Sequence, residues 1–368
     1  MTDKPLHVGL VLATSTGGIG THVASLARFL LGAGHEVTVC GPIATDELFG
    51  FEALGARFCP VEISRSPSPF RDLLAMMKLR RKTAGVDLLH AHGLRAGFIA
   101  AGSRRRPLVV TWHNLQLAQG SRGRRFVQLE RLLSRVVDVA IGVSEDLVAR
   151  VRGFGAVDAR FLSAAAPPLP KPRRAPGEIR RELDIGTRPL ILSVARLDPQ
   201  KSLNVLIQAA AGWVNRDPIP AVVIAGSGPD HDELAELIER LNAPVTLLGR
   251  RSDVADLLAV CDIAVLISQW EGSPLFLQEA LRAGKPMVAT AVGGMPGLAG
   301  DAAVLIPPGD VTAIDIAVSG LLDDETLAAD LAARAAARGC ELPSEDECSA
   351  AVVALYTELV PRTQVVWT

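Results

Sequence analysis

Aromatic residues are scarce in this sequence, at 4% of the chain with a single tyrosine, although 49% of the residues are hydrophobic. Alanine, valine and leucine supply most of the apolar surface, which favours helices packed tightly on a buried sheet over a β-sandwich. At 368 residues the chain is too long for one ordinary core and has the length of two domains.

Long uncharged apolar runs are also missing. No stretch of about 18 apolar residues occurs, so a transmembrane helix is not expected. The N-terminal segment MTDKPLHVGLVLAT has a short apolar run and no small-residue cleavage site, which indicates a first strand rather than a signal peptide. The five cysteines are scattered and form no CxxC pair, as in a reduced cytoplasmic protein. The inner face of the plasma membrane is the alternative location.

Charge is nearly balanced in total, at −2, but uneven along the chain. Residues 1–165 carry an excess of eight basic residues, and residues 166–368 an excess of ten acidic ones. Basic clusters lie at Lys78–Lys82, Arg104–Arg106 and Arg122–Arg125. This asymmetry indicates an anionic surface or acceptor for the N-terminal half, or else only a solvated basic face. Nucleic-acid binding is not expected, because no aromatic residues are interleaved and no known motif is present.

Short apolar runs alternate with helix-length segments, which predicts an α/β protein with parallel sheets covered on both faces. A Pro-rich segment after Ala164 interrupts the alternation, since proline fits neither a helix interior nor a central strand. We therefore predict two Rossmann-like doubly wound domains. The predicted bounds are 1–165 for the first domain, 166–178 for the linker, 179–342 for the second domain and 343–368 for a C-terminal helix, which in such proteins often crosses back to the first domain.

The strongest candidate site is the segment EGSPLFLQE, which follows the predicted strand IAVLIS. Ser273 is a good N-cap, Pro274 a good first helical residue and Gly284 a good stop, which together predict a helix over 274–283. Its first N–H groups then face the carboxyl edge of the sheet, where open α/β sheets bind ligands, and could donate hydrogen bonds to a phosphate. The segment that forms this start is Ser273, Pro274, Leu275 and Phe276. Its N–H groups are those of Ser273, Leu275 and Phe276, because proline has no N–H.

Two carboxylates flank this predicted phosphate site. Glu271 lies in the loop before the helix and Glu279 in its second turn. Both carboxylates can accept hydrogen bonds from sugar and ribose hydroxyls. The alternative for Glu279 is an exposed carboxylate on a helix face.

Positive charge for a diphosphate is available in SVARLDPQKS, where Arg196 and Lys201 follow a strand end. Arg binds phosphate bidentately and Lys binds it as a point charge, so the pair would replace a divalent metal. Gly226 and Gly228 in AGSGP end another predicted strand and would let a nucleotide approach closely. The run Asp230–Asp232 resembles an acidic metal motif, but a helix begins there and favours carboxylates. No metal site is predicted.

In the N-terminal half, TGGIGTH lies between a strand and a helix, where Gly17 and Gly18 would admit a ligand to the helix N-terminus. His22 ends this motif, and His92 and His113 end two later predicted strands at the same edge. We predict that His113 contacts the donor sugar or the reacting centre, with His92 beside it. The alternatives are a tight turn and histidines that serve only as structural hydrogen-bonding groups.

A short-chain dehydrogenase is excluded by the shortage of tyrosine. That class needs a tyrosine four residues before a lysine, whereas the single tyrosine, Tyr356, is followed four residues later by Val360.

Taken in order, GGIGTH, TWH, ARLDPQK, AGSGP, EGSPLFLQE and GGMPG resemble the motifs of retaining GT-B glycosyltransferases of family four, the glycosyl transferases group 1. The resemblance spans nearly the whole chain. It implies a nucleotide-sugar donor, linked to UDP or GDP, in a cleft between an acceptor-side first domain and a donor-side second domain. It further implies metal-independent transfer of a hexose, without a cofactor, to a glycan, lipid-linked or small-molecule acceptor in cell-envelope glycan biosynthesis.

The same resemblance assigns roles to residues. It implies that Arg196 and Lys201 hold the diphosphate, that Glu279 binds the ribose, and that Glu271 contacts the transferred sugar near His113. Gly17 and Gly18 would let the N-terminal loop reach the diphosphate or the acceptor.

Two positions depart from the family pattern. Ser163–Ala166 stand where an Asn-Gly-x-Asp element is frequent, and Gly297 stands where a glutamate often follows the Gly-Gly-x-Pro turn. Three alternatives stay open at this point: a sugar-nucleotide epimerase or phosphorylase-like enzyme on the same scaffold, and a degenerate binding module. A peripheral contact of the basic first domain with an anionic membrane is a further expectation.

Overall fold

The computed structural model describes residues 5–64, 66–103, 107–115 and 120–360, with the backbone alone for 120–122. The basic cluster Arg104–Arg106 and the side chain of Arg122 lie outside the described residues. The chain divides into two compact units. Unit 1 comprises Met1–Ala165 and Pro343–Thr368, and unit 2 comprises Ala166–Leu342.

Unit 1 is built on a sheet of seven parallel strands in the order β3-β2-β1-β4-β5-β6-β7. The strands are β1 (His7–Leu12), β2 (Glu36–Gly41), β3 (Arg57–Pro60), β4 (Leu88–His92), β5 (Leu108–Trp112), β6 (Val139–Gly142) and β7 (Ala159–Phe161). The helices between them are α1 (Gly18–Gly32), α2 (Ile43–Phe49), α3 (Pro69–Lys82), α4 (Leu94–Gly102), α5 (Gly120–Val136) and α6 (Glu145–Gly153). Strand order reverses between β1 and β4, so their carboxyl ends form a topological switch point.

Unit 2 repeats this plan with six parallel strands in the order β10-β9-β8-β11-β12-β13. The strands are β8 (Leu190–Val194), β9 (Ala221–Ala225), β10 (Val245–Leu247), β11 (Ile263–Leu266), β12 (Met287–Thr290) and β13 (Val304–Ile306). The helices are α7 (Pro176–Glu182), α8 (Leu203–Ala211), α9 (His231–Leu241), α10 (Val254–Val260), α11 (Leu275–Arg282), α12 (Met295–Ala299), α13 (Val311–Asp323) and α14 (Glu325–Glu341). Here the switch point lies between β8 and β11.

Both faces of the unit 2 sheet are buried, as the apolar strand sequences predict. Leu190 and Leu192 of β8 pack in one hydrophobic cluster, whereas Ile191 between them packs in the other. Alternate residues of a strand point to opposite faces, so a fully covered sheet needs an uninterrupted apolar strand. The prediction of two doubly wound α/β sheets is confirmed. Strands β3 and β7 were not predicted; they are short, and each includes an exposed residue.

The Pro-rich segment that was predicted as a linker begins in contact with helix α11. Gln278 accepts a hydrogen bond from the Ala166 backbone N–H at 2.8 Å, and Arg282 donates to the Ala166 carbonyl oxygen at 2.7 Å. The last residues assigned to the linker, 176–178, instead form the first turn of α7, with Pro176 at its first helical position. Proline is well suited to that position, because the first N–H of a helix has no intrahelical partner.

The last helix, α15 (Glu345–Leu359), belongs to unit 1 and packs on α1. Ser344 and Glu347 form a capping box at its start. Tyr356 is fully buried, and its hydroxyl lies 2.5 Å from Nδ1 of His90 in β4. Among the described residues, no helix is both long and apolar enough to span a membrane.

Replacing Tyr356 with phenylalanine tests how α15 is held. The change removes one buried hydroxyl and leaves His90 Nδ1 without its partner, which is expected to lower the free energy of unfolding by about 1–3 kcal/mol. Urea unfolding of the Tyr356→Phe variant measures this loss. An exposed helix residue such as Thr357, changed to serine, provides the control, and equal stability of the Tyr356→Phe variant and the wild type would contradict the contact.

Candidate functional site

A buried ion pair lies at the switch point of unit 2. Lys201 ends a short 3-10 helix, Pro199–Lys201, after β8, and Glu271 lies in the loop after β11. The Lys201 ammonium contacts the Glu271 carboxylate, and the Ser268 hydroxyl donates to the same carboxylate oxygen at 2.6 Å. The lysine and glutamate side chains are only 16% and 8% exposed. Because a buried charge needs a partner, each charge stabilises the other at this edge.

The two loops that carry this pair are bound to each other. The side-chain amide of Gln200 donates to the Trp270 carbonyl oxygen at 2.7 Å. The backbone carbonyl oxygen of Gln200 accepts a hydrogen bond from the Gln269 backbone N–H at 2.8 Å. The Gln269 side chain donates in turn to the Pro199 carbonyl oxygen at 3.2 Å. These bonds fix the position of Lys201 relative to Glu271 before any ligand arrives.

Arg196 also follows β8 but extends toward solvent. Its guanidinium pairs with the carboxylate of Asp198, and its side chain is 47% exposed. The Asp198 side chain is only 14% exposed, so this pair is open to solvent on the arginine side alone. Arg196 and Lys201 therefore supply one solvent-exposed and one largely buried cation beside the same strand.

Helix α11 starts one residue later than the sequence predicts. It spans Leu275–Arg282 with Pro274 as its N-cap, and the proline side chain makes no cap hydrogen bond. The Ser273 hydroxyl accepts a hydrogen bond from the Gln278 side chain at 3.0 Å. Gly284 ends the helix with φ +62°, as expected for a glycine stop.

Glu279 lies on α11 and is half-buried, which rules out the alternative of a freely exposed carboxylate. Burial raises the pKa of its carboxyl group, and the charge of Arg282 lowers it to a smaller extent. A carboxylate that has already lost part of its hydration gains more from a ligand hydroxyl than an exposed one does.

The glycines of AGSGP have a role that the sequence did not reveal. A Cβ built on Gly226 would lie 1.8 Å from the Ala195 carbonyl oxygen, and one on Gly228 would lie 2.1 Å from the Leu197 carbonyl oxygen. The Leu197 N–H also donates to the Ser227 carbonyl at 3.1 Å. The close approach that these glycines allow is therefore to the Arg196 loop of the same unit; their predicted contact with a nucleotide stays a prediction.

The GGMPG turn plays a comparable part for Glu271. Gly293 has φ +54°, and a Cβ there would lie 2.0 Å from the Glu271 carbonyl oxygen. The Gly294 N–H donates to that same oxygen at 2.9 Å. The turn thus positions the backbone of Glu271, which sequence reasoning missed because the two segments are distant along the chain.

Three histidines come together at the switch point of unit 1. His92 ends β4, His113 follows β5 and His22 lies in the second turn of α1. Nδ1 of His92 lies 3.2 Å from Nε2 of His113, and the His22 ring packs edge-on against both rings, with centroid distances of 5.4 and 5.2 Å. Within the described residues, this is the one group whose ligand atoms, all within 4.8 Å of one another, could hold a metal ion.

In the TGGIGTH motif, the glycine that the packing of α1 requires is not one of the two that the sequence indicated, Gly17 and Gly18. Gly17 is the N-cap of α1, where a Cβ would meet nothing within 4 Å, and Gly18 is the first helical residue. At Gly20, by contrast, a Cβ would lie 2.0 Å from the Phe49 ring. The packing of α1 on α2 therefore requires Gly20, whereas Gly17 leaves open space at the helix end.

The histidines of this edge are uncharged. Burial lowers the pKa of His22 to about 4 and that of His90 to about 3. Burial, followed by the neighbouring imidazoles, also holds the pKa values of His92 and His113 well below their usual range. Each neutral ring offers one N–H donor and one acceptor nitrogen. Nε2 of His92 is buried without a hydrogen-bond partner, which makes it available to a ligand.

These pKa values predict a dependence of stability on pH. In the unfolded chain the histidines take up protons below about pH 6.5, whereas the folded chain keeps them neutral until about pH 4 for His22, so the unfolded chain binds more protons in this window. Stability is therefore complete above pH 6.5 and falls as the pH is lowered. At pH 5, each buried histidine is expected to take away about 2 kcal/mol.

Urea unfolding at pH 7 and pH 5 measures this effect. The His90→Gln variant lacks one titrating ring, so its loss of stability between the two pH values should be smaller than that of the wild type by about 2 kcal/mol. Equal losses in the variant and the wild type would contradict the neutral state of His90.

Among the remaining sequence candidates, the acidic run behaves as expected for a helix start. Asp230 is the N-cap of α9, and Asp232 lies in its first turn. The structure thus brings together Lys201 and Glu271 in unit 2 and His22, His92 and His113 in unit 1.

Two family models match this chain, one in each half. Residues 17–165 match the glycosyl transferase 4-like domain, and residues 177–338 match the glycosyl transferases group 1 domain. Among curated proteins, the phosphatidyl-myo-inositol mannosyltransferase of Mycolicibacterium smegmatis is 28% identical over 90% of this chain and 89% of its own length. The N-acetyl-alpha-D-glucosaminyl L-malate synthase of Bacillus anthracis is 24% identical over 90% of this chain and 91% of its own.

The fold is shared with solved structures. HepE of Anabaena, crystallised with UDP and glucose, superposes with a TM-score of 0.83 at 21% identity, over 96% of this chain and all of that one.

Proposed function

The chain belongs to the group 1 glycosyltransferases of the GT-B fold, and from this premise we propose that it transfers a hexose from a nucleoside-diphosphate sugar with retention of configuration and without a metal. The acceptor that we propose is a glycan, a lipid-linked sugar or lipid, or a small molecule. The observation that carries the donor assignment is the buried contact between Lys201 and Glu271 beside Arg196.

A diphosphate fits this site because it needs the charges that the site already holds. Lys201 is held by Glu271 and by the hydrogen bonds between the loops after β8 and β11. Its ammonium is therefore in one position before the diphosphate binds. The solvent-exposed guanidinium of Arg196 can take the diphosphate in a bidentate contact. The N-terminus of α11 adds backbone N–H donors for a third oxygen. Together these groups would stabilise the charge that develops on the leaving diphosphate.

The two glutamates of unit 2 suit the hydroxyls of the donor. Half-buried Glu279 accepts hydrogen bonds from the ribose, and Glu271 accepts one from the transferred sugar while keeping Lys201 as its counter-ion. The UDP and glucose bound by HepE make UDP-glucose the first donor to test.

In unit 1, neutral histidines are suited to binding a sugar rather than a phosphate. We assign His113 to a hydroxyl of the transferred sugar, with His92 holding its ring through the 3.2 Å contact and His22 packing beside both. Gly17 and Gly18 would leave room for the diphosphate or the acceptor at the start of α1. The leaving phosphate takes the proton of the acceptor hydroxyl, since an oxocarbenium-like transition state needs no enzymic nucleophile.

The test is donor turnover with UDP-, GDP-, ADP- and dTDP-linked hexoses, with a panel of sugar, lipid and inositol acceptors and a chelator throughout. We expect one nucleoside diphosphate to be released only when an acceptor is present, and NMR of the product to show the anomeric configuration of the donor. Release without any acceptor would favour epimerase chemistry. Binding of a nucleotide without turnover would favour a degenerate module, and an inverted product would refute retention.

A further inference from the structure

Helix α3 exposes a stripe of large apolar side chains. Phe70, Leu73, Leu74 and Met77 are 73%, 55%, 50% and 61% exposed. Their spacing of three, one and three residues puts all four on a single face of the helix. Among the described residues, ten large hydrophobic side chains are exposed, and four of them fall within these eight positions. Scattered apolar residues on a surface need no explanation, but a continuous patch marks a binding surface.

The opposite face of α3 holds the helix in place. Asp72 forms a buried ion pair with Arg95 of α4 at 2.6 Å. Ala75 and Leu79 are buried, and Met76 fits against Gly102, where a Cβ would lie 2.3 Å from the Met76 sulfur. The apolar stripe is thus not needed to pack α3 on unit 1, because the opposite face of the helix already makes that contact.

Basic residues border the stripe. Arg71 and Lys78 are exposed along one side, and Arg81 is exposed at its C-terminal end. The helix carries five basic residues and one acidic residue, Asp72, whose charge is already paired with Arg95. The exposed surface of α3 is therefore apolar along its centre and positively charged at its edge.

We propose that this surface of α3 docks on an anionic lipid membrane, with the helix lying in the plane of the interface. Four large apolar side chains would enter the boundary between head groups and acyl chains, and the bordering cations would pair with anionic head groups. A protein partner would require a complementary acidic rim around an apolar groove, whereas a bilayer supplies both chemistries over any area. The proposal does not depend on the donor or on the reaction assigned above.

Co-sedimentation of the full-length protein with vesicles tests the proposal. The vesicles contain phosphatidylcholine alone or with about one-third phosphatidylglycerol, at about 0.05 M and about 0.5 M salt. We expect binding to the anionic vesicles that weakens with salt. The Lys78→Gln/Arg81→Gln variant should bind about tenfold more weakly at low salt. The Phe70→Ser/Leu73→Ser/Met77→Ser variant should lose about tenfold or more at both salt concentrations.

Matched controls lie in unit 2. Ile316→Ser removes an exposed apolar side chain of α13, and Lys171→Gln/Arg181→Gln removes two exposed cations; both should bind vesicles as the wild type does. Thermal unfolding confirms that each α3 variant is folded, which is expected because its changes are on the exposed face.

Absence of wild-type binding to anionic vesicles at low salt would overturn the proposal, as would full binding by the α3 apolar variant. A concentration-dependent dimer that this variant abolishes, without vesicle binding, would instead assign the stripe to a second copy of the chain. Nucleotide binding is measured separately, so failure of the donor assignment would not be mistaken for failure of the membrane surface.

Discussion

Replacing Lys201 with alanine is expected to lower kcat/KM for the donor by about 100- to 1000-fold, the usual effect of removing one fixed donor of positive charge from a transition state. The physical reason is that Lys201 is held by Glu271 and by the hydrogen bonds between the loops after β8 and β11. Its charge is therefore in place before the diphosphate leaves. Steady-state turnover of the best donor measures the effect.

The same substitution leaves Glu271 buried with Ser268 as its remaining hydrogen-bond donor. Removing one partner of a largely buried pair costs about 3–5 kcal/mol, so the Lys201→Ala variant should also unfold at lower temperature. The double variant Lys201→Ala/Glu271→Gln removes the unpaired charge, so it should recover stability but not turnover. This difference separates the role of Lys201 in catalysis from its role in folding.

Arg240→Ala provides the matched control for charge, because Arg240 is an exposed cation of unit 2 on helix α9. It should keep the turnover of the wild type. Turnover of the Lys201→Ala variant within about threefold of the wild type would contradict the assignment of the diphosphate site.

Replacing Gly293 with alanine is expected to displace Glu271, although Gly293 itself is not one of the residues assigned to the donor. The residue has φ +54°, and the added Cβ would lie 2.0 Å from the Glu271 carbonyl oxygen, a distance that no relaxation of a side chain can relieve. The backbone conformation alone costs about 1–3 kcal/mol for a non-glycine residue. We expect a fall of several degrees in the melting temperature, at about 2–4 °C for each kcal/mol in a domain of the size of unit 2, together with weaker donor binding.

Gly297 in the same motif provides the control. A Cβ there would meet nothing within 4 Å, and the residue lies inside helix α12, where alanine is the better helix former. The Gly297→Ala variant should therefore match or exceed the stability of the wild type and keep its donor affinity. Equal melting temperatures for the Gly293→Ala and Gly297→Ala variants would show that the GGMPG turn does not position Glu271.

Much of the fold is predictable because it depends on local periodicity. Apolar runs such as LILSV at β8 are strands in a sheet covered on both faces, and proline and glycine mark where the elements end. The strands that escaped prediction, β3 and β7, lie at the two ends of the unit 1 sheet, are short and contain exposed residues, so their sequences lack the apolar run that reveals a central strand.

The candidate site was predictable where its residues directly follow predicted strands. Once the strand order places β8 beside β11, the residues that follow each strand, Lys201 and Glu271, must lie at one edge. In the same way, β1 beside β4 brings His22 close to His92. The parallel sheet thus converts motifs that are far apart along the chain into neighbours.

Contacts between distant loops were not predictable. Gly293 is required by the backbone of Glu271, and Gly226 by that of Ala195. From the sequence, Gly226 was assigned to nucleotide approach, and Gly293 was noted only as part of the Gly-Gly-x-Pro turn. Ser273 was assigned as the cap of α11 by its residue type, whereas Pro274 occupies the N-cap position and the Ser273 hydroxyl accepts a hydrogen bond from Gln278. Residue type reports what a position can do, whereas the fold decides which partner comes within reach.

Thermal unfolding with UDP, GDP, ADP, dTDP and NAD(P), with a chelator present throughout, tests the proposed metal-free diphosphate site of unit 2 most directly. A nucleoside diphosphate at about 100 times its dissociation constant should add about 2.7 kcal/mol to the free energy of unfolding. We expect such a shift with one nucleoside diphosphate, and its loss in the Lys201→Ala/Glu271→Gln variant. No shift with any diphosphate, or a shift with NAD(P) alone, would contradict the donor site.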